Sequence, residues 1–201
     1  GKIWLVQAEF TPGWMSRPVE REGDAAAAWR TDPAIMGPSL VMADNGSHAH
    51  NLARFVTGLE VSEVAAELST FVPGRRLEDN AMALLRFDNG ARGMLWASTV
   101  TTGIVDGLQL RIHGEKAGLR WRLETSDQLT LYPDAGPART LDRQETGLTA
   151  AGFIEGFANV YASVAEDIHA LAAGEPAGHR EYAGVEDGAI GIKFILAAIE
   201  S

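Results

Sequence analysis

The sequence predicts an α+β fold: an open, mainly antiparallel β-sheet with helices packed on one face. Three observations predict it. From residue 61 the apolar period changes to two and persists through several short segments separated by tight turn signals. Helical periodicity precedes that run, over 39–57, and returns after it in two stretches near the end of the chain. No repeat, low-complexity tract or convincing linker divides the 201 residues, so 1–201 reads as one domain.

The elements follow in order. "KIWLVQAEF" is rich in Ile, Trp, Leu, Val and Phe and reads as a strand buried on both faces or nearly so. "TPGWMSRPVEREGD" carries two prolines and two glycines and reads as a loop. "AAAAWRTDPAIMGPS" reads as irregular, with Asp32-Pro33 as a turn signal. A helix is predicted over 39–57, with Ser39 as its N-cap and Gly58 in the C′ place. Gly46 inside it costs about 1 kcal/mol relative to alanine, which suggests that something approaches its backbone closely.

"VSEVAAELSTFV" and "NAMALLRFDNGARGMLWASTV" read as strands, the second broken by the Asp88-Asn89-Gly90 hairpin turn, whose residues tolerate positive φ. "LQLRIHG", "GLRWRLE" and "QLTLYPD" continue the pattern. In the first of these, Leu108, Leu110 and Ile112 alternate with Gln109, Arg111 and His113, giving a dry and a wetter face. Tight turns between successive strands imply antiparallel pairing. Phe153, Phe157, Val160, Tyr161, Val164, Ile168 and Leu171 hold helical spacing up to Gly174, and a last helix covers about 184–200. The sheet face without helices needs a cover or serves as an interface.

Bulk composition excludes some functions. A formal net charge of −10 argues against nucleic-acid or anionic-membrane binding, which need clustered Lys and Arg. With no cysteine there is no disulfide, thiol nucleophile or thiolate metal site, which fits a cytoplasmic protein. No apolar run approaches the ~20 residues of a membrane span. "GKIWLVQAEF" opens on strand-like sequence without an initiator Met, and so reads as a piece of something longer.

The chemistry concentrates in "MADNGSHAHNLARFVTG". Leu40, Asp44, His48, Leu52 and Phe55 share one predicted helical face, so a carboxylate and an imidazole stand within an apolar stripe. One reading is a surface pair that supports the helix by ~0.2–0.5 kcal/mol. The other is a general acid/base, because a carboxylate fixes the tautomer of a neighbouring imidazole and stabilises its cation. A metal reading would need a third ligand, and the only near candidate, His50, points away from Asp44's face, so no metal is expected. His50 reads as polar helix surface, and His113 as solvated or interfacial. His169 and His179 link to no nucleophile. Trp29-Arg30 could stack on and fork to a hydroxylated ligand, or be a loop aromatic plugging the core beside an exposed cation. There is no G-x-S-x-G elbow, no P-loop and no G-x-G-x-x-G.

"WRTDPAIMGPSLVMADNGSHAHNLARFVTG" resembles a hallmark segment of the glucose–fructose oxidoreductase / inositol dehydrogenase (Gfo/Idh/MocA) family, in which W-R-x-D-P is followed by D-x-G-x-H. The opening strand, the Asn-Gly hairpin, "IHGEKAGL" and "VEDGAIGIKFILAAIES" extend the resemblance over nearly the whole chain. It implies a C-terminal substrate and dimerisation domain with a glyceraldehyde-phosphate-dehydrogenase-C-like sheet. It further implies a partner N-terminal Rossmann domain, absent from this chain, that binds NAD or NADP. By the same resemblance Asp44 and His48 are catalytic: the His moves a proton with a sugar hydroxyl and the Asp orients it. Trp29, Arg30 and Asn51 fall at substrate-facing places. Asn51 stands where the family often has Asp, and the family's Glu-Lys-Pro lysine has no counterpart here. The implied function is the substrate-binding and acid/base half of an NAD(P)-dependent dehydrogenase of a sugar, polyol or related hydroxy compound. Such a chain would bind no cofactor tightly by itself and would form a homodimer through its open sheet face. The alternative is a non-catalytic carbohydrate-binding or scaffold protein that retains the fold.

Overall fold

The computed structural model describes residues 1–143, 153–176 and 182–201. Strand β1 (Ile3–Phe10) leads through a loop to two short helices, α1 (Ala25–Arg30) and α2 (Pro33–Met36). A π-helical turn (Met42–Gly46) then runs straight into α3 (Ser47–Thr57). Seven further strands follow among the described residues: β2 (Val61–Ser69), β3 (Asn80–Phe87), β4 (Arg92–Ser98), β5 (Leu108–Gly114), β6 (Ala117–Arg122), β7 (Gln128–Pro133) and β8 (Arg139–Asp142). Helices α4 (Phe153–Ala173) and α5 (Val185–Glu200) close the chain. The strands form one sheet in the order β2-β3-β4-β1-β5-β6-β7-β8. Every pairing is antiparallel except that of β1 with β4.

Alternation decides the two faces. Val6, Ala8, Ala83, Leu85, Leu95, Ala97, Leu110 and Ile112 point to the helical layer and are buried. Leu5, Met82, Leu84 and Met94 point the other way and stay exposed, Leu84 by 69 %. β1 is therefore not buried on both faces as its composition suggests. It lies at the centre of the sheet, but the face opposite the helices is uncovered, so Leu5 is left open. The open face carries a polar strip at its middle. Glu9 accepts from Gln7 Nε2 (2.6 Å) and Gln109 Nε2 (2.5 Å), and it is itself buried by them.

Two local readings are refined, and the predicted helix α4 is present. "AAAAWRTDPAIMG" is not irregular: Asp24 caps α1 by accepting from Ala26 N and Ala27 N, and Asp32 caps α2 by accepting from Ala34 N. In the β3–β4 hairpin only Gly90 takes a positive φ (+88°), while Asn89 turns the chain by accepting from Ala91 N at 2.8 Å. The apolar stripe of α4 leaves Phe157, Tyr161, Ile168 and Leu171 exposed among the described residues. His179 lies outside the described residues. No helix among the described residues is long and apolar enough to cross a membrane.

The π turn and α3 start inside the core, where the first amides of a helix would be orphaned. Ser39 Oγ accepts from Met42 N (3.1 Å), as a cap should. The buried Glu78, from the segment before β3, accepts from Val41 N (3.0 Å) and from the Ser39 hydroxyl. At the other end Gly58 closes α3 in the left-handed region (φ +66°), its N–H donating to Arg54 O. Glu78→Ala removes the acceptor for a buried amide and a buried hydroxyl. It is expected to lower unfolding free energy in urea by about 2–4 kcal/mol; a change under about 1 kcal/mol would show that the cap is dispensable.

Candidate active site

The buried side of the π turn and α3 follows the stripe that the spacing suggests only in part: Leu40 is buried and Leu52 packs against the core, but the stripe does not continue through His48 and Phe55. The rest of that side is formed by Met42, Asn45, Gly46, Ala49, His50 and Ala53, which are all buried, whereas Phe55 is 60 % exposed and His48 is exposed. Small residues at 46, 49 and 53 let the helix lie close over β1. A Cβ on Gly46 would meet Met42 Sδ at 3.1 Å and Cε at 3.3 Å. Gly46 therefore serves internal packing, and the close approach is made by the helix's own Met42.

Asp44 sits in the π turn, a local widening that recurs at functional sites. Its side chain is 25 % exposed, and its Oδ2 accepts from Arg30 Nε at 2.7 Å, with Arg30's side chain 23 % exposed. The other oxygen, Oδ1, has no hydrogen-bond partner among the described residues and reaches solvent. Arg30 also donates from Nη1 to Ala26 O (3.0 Å). Its guanidinium lies 4.2 Å from the Trp29 ring centre and 5.7 Å from that of Trp14. Trp29 neither plugs the core nor stands alone: with Trp14 it forms a partly exposed aromatic bracket around a cation.

His48, one turn after Asp44, makes no hydrogen bond to it. The imidazole meets the edge of Phe10 at 5.5 Å (interplanar angle 83°). Phe10 ends β1 and Trp14 follows it in the next loop, so the His48 contact and the Arg30 bracket both belong to the C-terminal end of the central strand. Sequence reasoning missed Phe10 and Trp14. Phe10 carries a signal in its strand phase, on the same side of β1 as the buried Val6 and Ala8, whereas Trp14 lies in a loop where no period applies.

Asn51 falls elsewhere. It is exposed and lines a groove of about 240 Å³ with Arg54, Phe55, Tyr182 and Asp187. Arg54 fills the wall of that groove with ion pairs, holding Glu60 (Nη2–Oε1 2.5 Å) and Asp187 (Nη1–Oδ1 3.0 Å). The bond from Arg54 keeps the Glu60 carboxyl below its usual range; the Gly184 amide, then Arg54, do the same for Asp187. Arg54 is thus a clasp between α3, the turn leading into β2, and α5.

His50 is not helix surface. It is 2 % exposed and stacked on Phe194 of α5 (centroids 4.1 Å, interplanar angle 3°), and its Nδ1 has no partner. Burial, reinforced by the nearby Arg54 charge, pushes its pKa down to about 4. It is a neutral core residue and cannot complete a metal site with Asp44 and His48. No metal-ligating cluster occurs among the described residues.

What these groups can do is acid/base and hydroxyl chemistry. An exposed imidazole can take a proton, a fixed carboxylate with one open oxygen can accept from a ring N–H or a hydroxyl, and indole faces can pack on sugar C–H groups. This donor set suits the substrate side of a nicotinamide site. It does not suit the phosphate side, because no strand–helix turn with a G-x-G-x-x-G run is present to hold a pyrophosphate.

Known proteins share this fold. A family model for the GFO/IDH/MocA C-terminal domain matches residues 1–120. The chain belongs to the GFO/IDH/MocA family. Its similarity to an uncharacterized oxidoreductase, YfiI of Bacillus subtilis, is 30% identity over 100% of this chain and 56% of YfiI. Levoglucosan dehydrogenase of Pseudarthrobacter phenanthrenivorans is 26% identical over 64% of this chain and 37% of its own length. An inositol dehydrogenase homolog of Azotobacter vinelandii, solved with NAD+, matches with TM-score 0.93 and 30% identity over 100% of this chain and 56% of that one. Solved with NADH and myo-inositol, it matches with TM-score 0.88 and 29% identity over 100% of this chain and 55% of that one. The chain thus spans at most a little over half the length of these GFO/IDH/MocA relatives. Its similarity is to oxidoreductases, one of them solved with NAD+ and NADH.

The burial of His50 predicts a pH dependence of stability. The unfolded imidazole takes up a proton near pH 6.5, while the folded one resists until about 4. Stability is therefore full above pH 6.5 and falls as pH drops through that window, by on the order of 3 kcal/mol. His50→Leu is expected to remove this component from the pH curve measured by urea unfolding. An unchanged slope would contradict it.

Proposed function

We propose that this chain is the substrate-binding and acid/base half of an NAD(P)-dependent dehydrogenase acting on a sugar, polyol or related hydroxy compound. The observation that carries the proposal is the exposed His48 imidazole one turn from a carboxylate that Arg30 anchors through a single oxygen. Membership of the GFO/IDH/MocA family and similarity to an inositol dehydrogenase homolog solved with NADH and myo-inositol support it.

In this reading a substrate hydroxyl lies against His48, and the imidazole accepts its proton as the carbon-bound hydrogen leaves as hydride. The nicotinamide, held by an N-terminal Rossmann domain of the same protein, supplies the hydride acceptor. Oδ1 of Asp44 is the acceptor available to the other ring N–H of His48, fixing its tautomer and stabilising the imidazolium. Trp29 and Trp14 pack against the apolar side of the substrate ring, and Asn51 stands outside this cluster at the α3–α5 groove. The exposed apolar residues of α4 and α5 suit a covering domain, and the absence of cysteine suits a cytoplasmic setting.

Asp44→Asn and His48→Asn in the full-length gene product are each expected to lower turnover at least about a hundredfold without loss of folding. The assay is NAD+ or NADP+ reduction with myo-inositol, levoglucosan and glucose as substrates. Wild-type turnover in either variant would remove the catalytic assignment. A wild type inert with all of them would favour the carbohydrate-binding scaffold instead.

A homodimer through the open sheet face is part of the same proposal. Leu5, Met82, Leu84 and Met94 surround the Gln7–Glu9–Gln109 strip on an uncovered face, the pattern of an apolar interface with a polar centre. Light scattering at micromolar concentration is expected to give a dimer, and Leu84→Glu to weaken it. A monomeric wild type would contradict this.

A further inference from the structure

We propose that Arg30 is a positioning residue for Asp44 rather than a substrate contact, an assignment that rests on the catalytic reading of Asp44 and His48 above. Four features fix the guanidinium. Nε is committed to Asp44 Oδ2 at 2.7 Å and Nη1 to Ala26 O at 3.0 Å. One face lies 4.2 Å from the Trp29 ring centre, and Trp14 stands 5.7 Å away. A planar fork held by two hydrogen bonds in different directions, with an indole against it, has little freedom to follow a ligand.

The way it grips Asp44 matters. A paired fork would occupy both carboxylate oxygens. Here only Nε reaches the carboxylate, so Oδ2 is anchored and Oδ1 is left for a second donor. The bond also spans two separate elements, because Arg30 ends α1 and Asp44 lies in the π turn. Arg30 thereby sets both the direction of the carboxylate and the place of α1 beside it. Lysine could supply the charge. It could not hold the Ala26 carbonyl and the carboxylate in one plane while stacking on an indole. The competing role is direct: Nη2 makes no hydrogen bond among the described residues and is free to hold a substrate hydroxyl.

A double-mutant cycle in the full-length gene product separates the two roles. The variants are Arg30→Met, Arg30→Lys, Asp44→Asn and Arg30→Met/Asp44→Asn, assayed by NAD(P)+ reduction with whichever of myo-inositol, levoglucosan or glucose the wild type oxidises best. Unfolding midpoints confirm that each variant is folded, and Arg30→Lys serves if Arg30→Met is not. For a residue acting through Asp44, Arg30→Met is expected to lower kcat about tenfold or more with KM within about twofold, and Arg30→Lys to recover part of the loss. In the Asp44→Asn background the same change is expected to add less than about twofold, because its route is already gone. A tenfold rise in KM with kcat preserved, or a full penalty persisting beside Asp44→Asn, overturns the assignment and makes Arg30 a substrate contact. Wild-type turnover in Asp44→Asn alone, or a wild type inert with all three substrates, overturns the reading beneath it and this assignment with it.

Discussion

The helix that carries Asp44 and His48 begins within the core, and its start depends on one buried carboxylate. Glu78 accepts from the Val41 amide and the Ser39 hydroxyl, and Ser39 in turn accepts from Met42 N. A helix start in an apolar interior otherwise leaves donors without acceptors. Once that end is held, the wider π turn follows, and its outer side sets Asp44 against Arg30. The candidate site thus rests on a residue brought in from the segment before β3, far away in sequence.

Packing and chemistry divide the same helix. Its inner side is made of small residues, Gly46, Ala49 and Ala53, with His50 flat against Phe194. This allows close seating over β1 and places the two histidines in opposite environments. His50 is held neutral by burial, while His48 is exposed beside Phe10. Two imidazoles separated by one residue therefore have unrelated roles, decided by which side of a helix each occupies.

Much of the architecture was legible because it is written in local periods. Alternation in β3 and β5 and helical spacing in α4 and α5 are set by which side each residue faces, and Gly58 and Gly174 mark helix ends by adopting positive φ. The place of β1 was not legible, since its parallel pairing with β4 is decided by partners some ninety residues on. The helices α1 and α2 are too short to show a period, although Asp24 and Asp32 were their signals. In the site, Asp44 and His48 stood out by type, and the family resemblance gave them roles. The face they occupy was misjudged in part. Leu40 is buried and Leu52 packs on the core as expected, but Phe55 is exposed, and beyond Met42 the inner side runs through Gly46, Ala49 and Ala53, which carry little hydrophobic signal. The partner of Asp44 was hidden for a similar reason, because Arg30 reaches it from a different element.

The central claim is that His48 is the group which takes the substrate's hydroxyl proton. Its most direct test is a crystal structure of the full-length protein with NAD+ and the hydroxy compound that it oxidises. The account predicts an imidazole nitrogen of His48 within about 3.2 Å of the reacting hydroxyl oxygen. A substrate bound with that oxygen beyond the reach of His48 and of any water bridging to it would contradict the account.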